Sequence, residues 1–232
     1  MTGKLFSLPR VALVLVAKQP VAGRVKTRLT PAFSAPAAAA IYETFLSHVR
    51  STCEQLSAAL GTIDLVLLYD PPESADTWNL WTQWCRIPQS AGDLGQRLES
   101  GLKKINGEAL TGCIFIGADA PELTYDHLAW AVDQVRASRY AMIPAYDGGY
   151  VLIGIPDGRA PLFQGISWST PHVARQTRRA AGRQGVVISE RPALHDIDTP
   201  EDLADLLQRL GTCQCAAASA LRRQLAHAAG VS

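Results

Sequence analysis

Six short apolar runs rich in β-branched residues punctuate this chain: 11–17 (VALVLVA), 63–69 (IDLVLLY), 113–117 (CIFIG), 140–145 (YAMIPA), 150–155 (YVLIGI) and 186–189 (VVIS). Apart from Asp64 and Ser189 their apolar character is continuous rather than alternating, the pattern of a strand covered on both faces. Between them the spacing changes to that of helices, over 35–60, 94–105, 124–137, 170–182 and 200–210. Ser34, Thr124 and Thr199 stand where N-caps belong, and Gly61 where the first helix should stop. Alternating strand and helix select an α/β fold with a mainly parallel twisted sheet flanked by helices. Only Tyr146-Asp147-Gly148-Gly149 joins the runs at 140–145 and 150–155, too short for a helical crossover. One of those two is therefore expected to be an antiparallel strand.

A length of 232 residues, 47% of them hydrophobic, suits one domain spanning 1–232, with a core over 11–210 and a helical tail over 211–232. That tail, with Leu221, Arg222, Arg223 and Leu225, is expected to pack on the domain or on a second subunit of a homodimer. Net charge is +1, so no global field draws the chain to nucleic acid or to an anionic membrane, and any hold on phosphate must be local. The five cysteines (Cys53, Cys85, Cys113, Cys213, Cys215) are odd in number and scattered, which argues against a disulfide framework and for a reducing cytoplasm. No apolar run approaches the roughly 20 residues of a membrane span. Trp78, Trp81 and Trp84 read as one buried helix face rather than a stacking platform.

Ligands of open α/β sheets sit beyond the carboxyl ends of the strands, so the residues just past each apolar run are informative. After the first run come Lys18, Arg24, Lys26 and Arg28 with no carboxylate among them. A strand-to-helix connection there offers backbone N–H groups and side chains to an anion, and Gly23 lets the backbone approach closely. The loop is neither a Walker A sequence nor a dinucleotide G-x-G-x-x-G. After 113–117 comes "GADAPEL", where Asp119 stands at a strand end and could hold Mg²⁺ or Mn²⁺ together with substrate phosphates, or could cap a turn. "HDIDTPEDL" adds Asp196 and Asp198 ahead of the Thr199 cap, either of which could be a second metal ligand. Glu201 and Asp202 read as first-turn acids. The histidines show no metal spacing; His195 reads as structural, and Arg175, Arg178, Arg179 and Arg183 as a solvated helix face.

"AKQPVAGRVKTRL", "GDLGQRL", "GADAPEL", "DGGY", "WSTP" and "DIDTPEDL", in that order over 11–210, resemble the nucleotide-diphospho-sugar transferase superfamily, the GT-A-like, Rossmann-like three-layer sandwich. Within it the sequence is most similar to a bacterial family labelled as glycosyltransferases and linked to arsenosugar biosynthesis, and it also resembles 2-phospholactate guanylyltransferases. The resemblance implies that Lys26, Thr27 and Arg28 bind the donor's phosphates on a loop shaped by Lys18 and Gly23, beside Arg24. It implies that Asp119 holds the divalent ion with Asp198 as second ligand, and that Gly92 and Asp93 lie beside the nucleotide. Asp147, Gly148 and Gly149 would face the acceptor, as would Trp168, Ser169 and Thr170. The sequence departs from both main branches: Gln19-Pro20-Val21-Ala22 replaces most of a G-x-G-T-R loop, and Asp119-Ala120-Pro121 replaces D-x-D.

The function expected first is metal-dependent glycosyl transfer from a nucleoside-diphosphate sugar to a small acceptor, with catalysis by Lys26, Arg28 and Asp119. The runner-up is nucleotidyl transfer from an NTP to a phosphorylated small molecule with release of pyrophosphate, which three clustered cations suit somewhat better. A third reading is a non-catalytic nucleotide-binding protein.

Overall fold

The computed structural model describes residues 10–78, 81–105, 110–156, 162–213 and 216–230, without the side chains of 74 and 75. The strands are β1 (Arg10–Lys18), β2 (Ile63–Asp70), β3 (Cys85–Pro88), β4 (Leu110–Gly117), β5 (Tyr140–Pro144), β6 (Tyr150–Pro156) and β7 (Ile188–Glu190). The helices are α1 (Ala35–Leu60), α2 (Leu94–Ile105), α3 (Tyr125–Arg136), α4 (Val173–Arg183), α5 (Pro200–Thr212) and α6 (Ala216–Ala229). One sheet runs in the order β3-β2-β1-β4-β6-β5-β7, and β6 is its antiparallel strand. The short tyrosine-aspartate-glycine-glycine turn thus does what its length dictates. The carboxyl ends of β1, β2, β3, β4 and β5 consequently share one edge of the sheet, with the start of β6.

Successive strand residues point to opposite faces, and both faces are covered. Val11, Leu13 and Leu15 of β1 join Ile114 and Ile116 of β4 in a core beneath α1 and α3. Ala12 and Val14 join Cys113 and Phe115 in the opposite core against α2 and α4. A third cluster unites α1, α5 and α6 through Ile41, Phe45, Leu206, Leu221 and Leu225, so the C-terminal helix packs on the chain's own body. Cys53 and Cys113 are buried free thiols and Cys85 an exposed one; Cys213 is exposed, and Cys215 lies outside the described residues. No helix among the described residues is long and apolar enough to cross a membrane.

The expected caps form. Ser34 accepts from the Ala37 N–H, and Gly61 closes α1 at φ +64°. Thr199 and Asp202 make a reciprocal capping box on α5. Two expectations change. Helix α4 starts at Val173, because Thr170 instead donates its hydroxyl to the Ser167 carbonyl in the preceding loop. The three tryptophans are buried but do not share an α-helix. Trp78 ends a 3₁₀ segment (Pro72–Trp78), and backbone bonds from Trp81 N–H to Trp78 O and from Trp84 N–H to Trp81 O continue the three-residue turn. That period puts every third residue on one side, and the rings meet edge to face at 5.6 and 5.0 Å.

Helix α3 carries a pH-sensitive cap. His127 Nδ1 accepts from the Thr124 backbone N–H at 3.1 Å, while the His127 N–H donates to Thr124 Oγ1. Burial, and then Arg191, hold the imidazole below its ordinary range, with Asp126 opposing. A depressed histidine is neutral in the folded chain while the unfolded chain takes up a proton first, so its contribution is present above about pH 6.5 and declines as pH falls. Protonation would also turn Nδ1 from acceptor to donor. Thermal unfolding between pH 8 and 5 should show His127→Gln, which keeps an acceptor at the third helical position, losing less stability across that range than the wild type. Equal pH slopes for the two proteins would remove the switch.

Candidate functional site

A cavity of about 1000 Å³ opens at the shared carboxyl edge. Its cationic side chains are Lys18, Arg24, Lys26, Arg28 and Arg97, and its carboxylates are Asp93, Asp119, Asp147, Asp196 and Asp198. Of the residues singled out from the sequence, Thr27, Gly92, Gly149, Trp168, Ser169 and Thr170 also line it; Gly23 and Gly148 do not.

The basic loop leaves β1 at Lys18, whose backbone N–H is held by the Tyr42 hydroxyl of α1 at 3.0 Å. Burial, then Asp119, pushes that phenol up, so it stays protonated. The chain reaches Lys26 in the left-handed region, φ +47°, just before a 3₁₀ turn over Thr27–Leu29. Such backbone in a non-glycine residue is strained and persists only where its surroundings enforce it. Here they do. The Lys26 ammonium donates to Asp119 Oδ1 at 2.6 Å, Asp198 Oδ1 at 2.9 Å and the Ile197 carbonyl at 2.6 Å. Its side chain is only 4% exposed, against 50% for Asp119 and 37% for Asp198. Burial alone would lower the lysine, but the two carboxylates outweigh it and hold it above its ordinary value. All three ammonium protons are thereby committed to protein acceptors. Lys26 thus ties the basic loop to the acidic loops, where the sequence led one to expect a hand on phosphate. Arg28 reaches Asp198 Oδ2 at 3.3 Å but stays largely exposed, and Arg24 and Lys18 are exposed.

Asp119 follows β4, and its carbonyl accepts from the Ile197 N–H at 2.9 Å, which pins the 196–198 segment beside it. Asp196 feels the crowding: burial first, then Asp147, with Asp198 and Asp119 adding, lifts its carboxyl to about 6, against a backbone contact that lowers it. A wall of carboxylates that resist sharing ionisation is a wall that favours a cation. Among the described residues no three His, Cys, Asp or Glu side chains gather to hold a metal by themselves. The hard oxygens of Asp119 and Asp198 fit Mg²⁺ or Mn²⁺ as the one or two protein carboxylates such ions take, the remainder being water and phosphate.

Across from β1, the 146–149 turn and the 167–171 loop are locked together. Gly148 has φ +92°, and a Cβ there would lie 2.2 Å from the Pro171 carbonyl oxygen; its own carbonyl accepts from the Ala174 N–H. Asp147 Oδ1 accepts from the Gly149 N–H at 2.7 Å. The Trp168 indole lies over Gly95 so closely that a Cβ would sit 2.4 Å from Nε1. Asp93 lines the cavity and also caps α2, exchanging hydrogen bonds with Gln96. His195 stacks on Tyr146 with ring centroids 4.1 Å apart. On α4, Arg178 pairs with Glu190, whereas Arg175, Arg179 and Arg183 are exposed. Sequence reasoning missed Tyr42, Gln89 and Arg97. Arg97 was within reach, inside the "GDLGQRL" motif; nothing local marks Tyr42.

No curated protein matches this sequence. Among solved structures, a Desulfovibrio desulfuricans G20 protein provisionally named a nucleotide-diphospho-sugar transferase matches at 25% identity and TM-score 0.82, over 94% of this chain and 99% of its own. CMP:2-keto-3-deoxy-manno-octonic acid synthetase, solved with CTP, shares the fold at 13% identity and TM-score 0.57, over 87% of this chain and 98% of its own. Rv0371c of Mycobacterium tuberculosis H37Rv, solved with manganese, does so at 16% identity and TM-score 0.51, over 86% and 98%. The architecture is that of the nucleotide-diphospho-sugar transferases and related nucleotidyltransferases. A family model matches residues 52–170, about half of the sequence, and the chain belongs to that family, described as "Uncharacterized protein conserved in bacteria (DUF2064)".

Proposed function

We propose that this chain is a transferase acting on a nucleotide-activated donor, and that it moves a glycosyl group from a nucleoside-diphosphate sugar to a small acceptor. The observation that carries the reading is the meeting of the two halves of the site. Loop cations after β1 and carboxylates after β4 and before α5 line one cavity, joined through the Lys26 ammonium. The Desulfovibrio protein, similar over nearly its whole length, supports the choice of a sugar donor. In this reaction the bond from the sugar's C1 to the diphosphate oxygen breaks, an acceptor oxygen bonds to C1, and the acceptor's proton is released. Negative charge grows on the departing nucleoside diphosphate. Lys18, Arg24 and Arg28 stand where fixed cations would stabilise that charge, and such groups act most strongly in a site shielded from water. Asp119 and Asp198 would hold Mg²⁺ or Mn²⁺, which when bound adds positive charge beside the diphosphate. Asp147, Gly149, Trp168, Ser169 and Thr170 form the opposite wall, where the acceptor would lie.

A second reading has its own support. Even with Lys26 committed, Lys18, Arg24 and Arg28 leave three cations of the basic loop on the cavity, which suits a triphosphate. In nucleotidyl transfer the Pα–O bond breaks and pyrophosphate leaves. The test is to supply the protein and Mn²⁺ with each nucleoside-diphosphate sugar and each NTP, together with a panel of hydroxylated and phosphorylated acceptors, and to follow free NDP against pyrophosphate. Acceptor-dependent NDP release is expected. Acceptor-dependent pyrophosphate would transfer the assignment to the second reading. Nucleotide binding without either product would make this a binding protein.

A further inference from the structure

The strands that frame the cavity divide it. Asp119 follows β4, whereas β2 and β3 lie on the other side of β1, two and three strand spacings or about 10 and 14 Å away. On that side stands a group that the donor's phosphates do not explain. Gln89 follows β3 and is buried. Its Nε2 donates to the Leu68 carbonyl at 2.9 Å and the Ala17 carbonyl at 3.2 Å. Two carbonyls facing one end of the amide fix its orientation, because a flip would set oxygen against oxygen. Its Oε1 must then point to Arg97, and it accepts from Arg97 Nη1 at 3.3 Å. Arg97 Nε donates to the Gly92 carbonyl at 2.9 Å, which grips the guanidinium from the other side. The fork, thus fixed, lines the cavity. Among the described residues Nη2 has no hydrogen-bond partner, and Nη1 keeps one proton beyond the one given to Gln89, so each terminal nitrogen retains a donor.

Two further features separate this fork from the phosphate cations. Asp70 Oδ2 lies 3.8 Å from Nη1, so the charge is already offset and a phosphate would meet a nearly neutral pair. One helical turn earlier, Leu94 lines the same cavity while 41% exposed, an apolar surface left open to solvent. Residues three apart share a helix face, so an apolar platform and a planar pair of donors lie side by side. A flat heterocycle with two adjacent acceptors satisfies both.

We propose that Arg97, positioned by Gln89, reads the base of the donor nucleotide and selects one presenting two adjacent acceptors. Guanine does so through O6 and N7, and cytosine through O2 and N3. Adenine sets an amino donor beside N7, and uracil sets an N–H between its carbonyls. The inference rests on the nucleotide-donor reading above and names the base class for that same site. A good bidentate contact discriminates by roughly 5- to 150-fold.

The test is binding, measured by calorimetry with GTP, CTP, ATP, UTP and inorganic tripolyphosphate on the wild type, Arg97→Lys and Leu94→Ala. The wild type should prefer GTP, CTP or both over ATP and UTP by at least 5-fold, and the member of the pair that wins identifies the base. Arg97→Lys keeps the charge and loses the fork; it should collapse that preference to within about 2-fold while leaving tripolyphosphate affinity unchanged. Leu94→Ala should weaken every nucleotide alike and spare tripolyphosphate. A preference for ATP or UTP, a preference surviving in Arg97→Lys, or an equal loss for nucleotides and tripolyphosphate would overturn the assignment. If tripolyphosphate bound but no nucleotide did, the donor reading would fail as well, and its failure would be visible as such.

Discussion

Replacing Asp119 by asparagine is expected to reduce turnover by about three orders of magnitude or more while leaving the fold almost undisturbed. The carboxylate is half exposed, and asparagine keeps an oxygen where Lys26 now donates at 2.6 Å. Asp198 still neutralises the ammonium at 2.9 Å. No buried charge is orphaned, so thermal unfolding should move by no more than a few degrees. What disappears is one of the two negative oxygens that would hold a divalent ion. Charge stabilisation by such an ion contributes several kcal/mol to a transition state, equivalent to the loss predicted. Donor affinity without metal should be unchanged or tighter, since one carboxylate no longer repels the phosphates, whereas the gain in affinity on adding Mn²⁺ should vanish. Turnover within tenfold of wild type, with Mn²⁺ dependence intact, would remove Asp119 from the chemistry.

The fold and the edge carrying the site were legible because both depend on short-range pattern. Continuous apolar runs such as 11–17 announce two-sided burial, and residues directly after such runs must lie at strand ends. The pairing of Asp119 with the segment before α5 was legible only as a conjunction of motifs, because the contact spans about eighty residues of sequence. Three things were not legible. The role of Lys26 depends on which acceptors lie within 3 Å of its ammonium, and a basic loop looks the same whether its cations face phosphate or carboxylate. The tryptophan spacing fits a helix stripe and a run of three-residue turns almost equally well. Gln89 is an ordinary residue in a polar stretch, and the motif holding Arg97 does not say what fixes its guanidinium; only the meeting of the ends of β1, β2 and β3 gives that glutamine two carbonyls and makes its oxygen face the guanidinium. Long-range convergence on one side chain leaves no local signature.

Lys26→Met should separate the tying role of this residue from a direct hold on the donor. The ammonium has no proton left for phosphate, so its removal acts first on the two carboxylates and on the Ile197 carbonyl. Asp119 and Asp198 are exposed enough to recover water, which keeps the cost below the about 3–5 kcal/mol of an orphaned buried charge. The unpaired carbonyl adds about 1–3 kcal/mol, so melting should fall by roughly 5 °C. That loss should be constant across neutral pH. The lysine is raised in the folded chain, and a raised base contributes fully below its unfolded pKa of about 10.4 and loses its contribution only as pH climbs through the folded value. Catalysis should drop further than stability suggests, by about 10²-fold in kcat, the cost of misplacing the loop that carries Arg24 and Arg28 by about 1 Å once its tie to Asp119 and Asp198 is lost. Mn²⁺ titration gives the sign that decides between the two roles. A lysine seated between the carboxylates competes with the ion, so the methionine variant should bind Mn²⁺ more tightly and donor no more weakly. A variant with unaltered Mn²⁺ affinity and a large loss of donor affinity would put Lys26 on the phosphates instead, with the ion pairs seen here breaking whenever donor arrives.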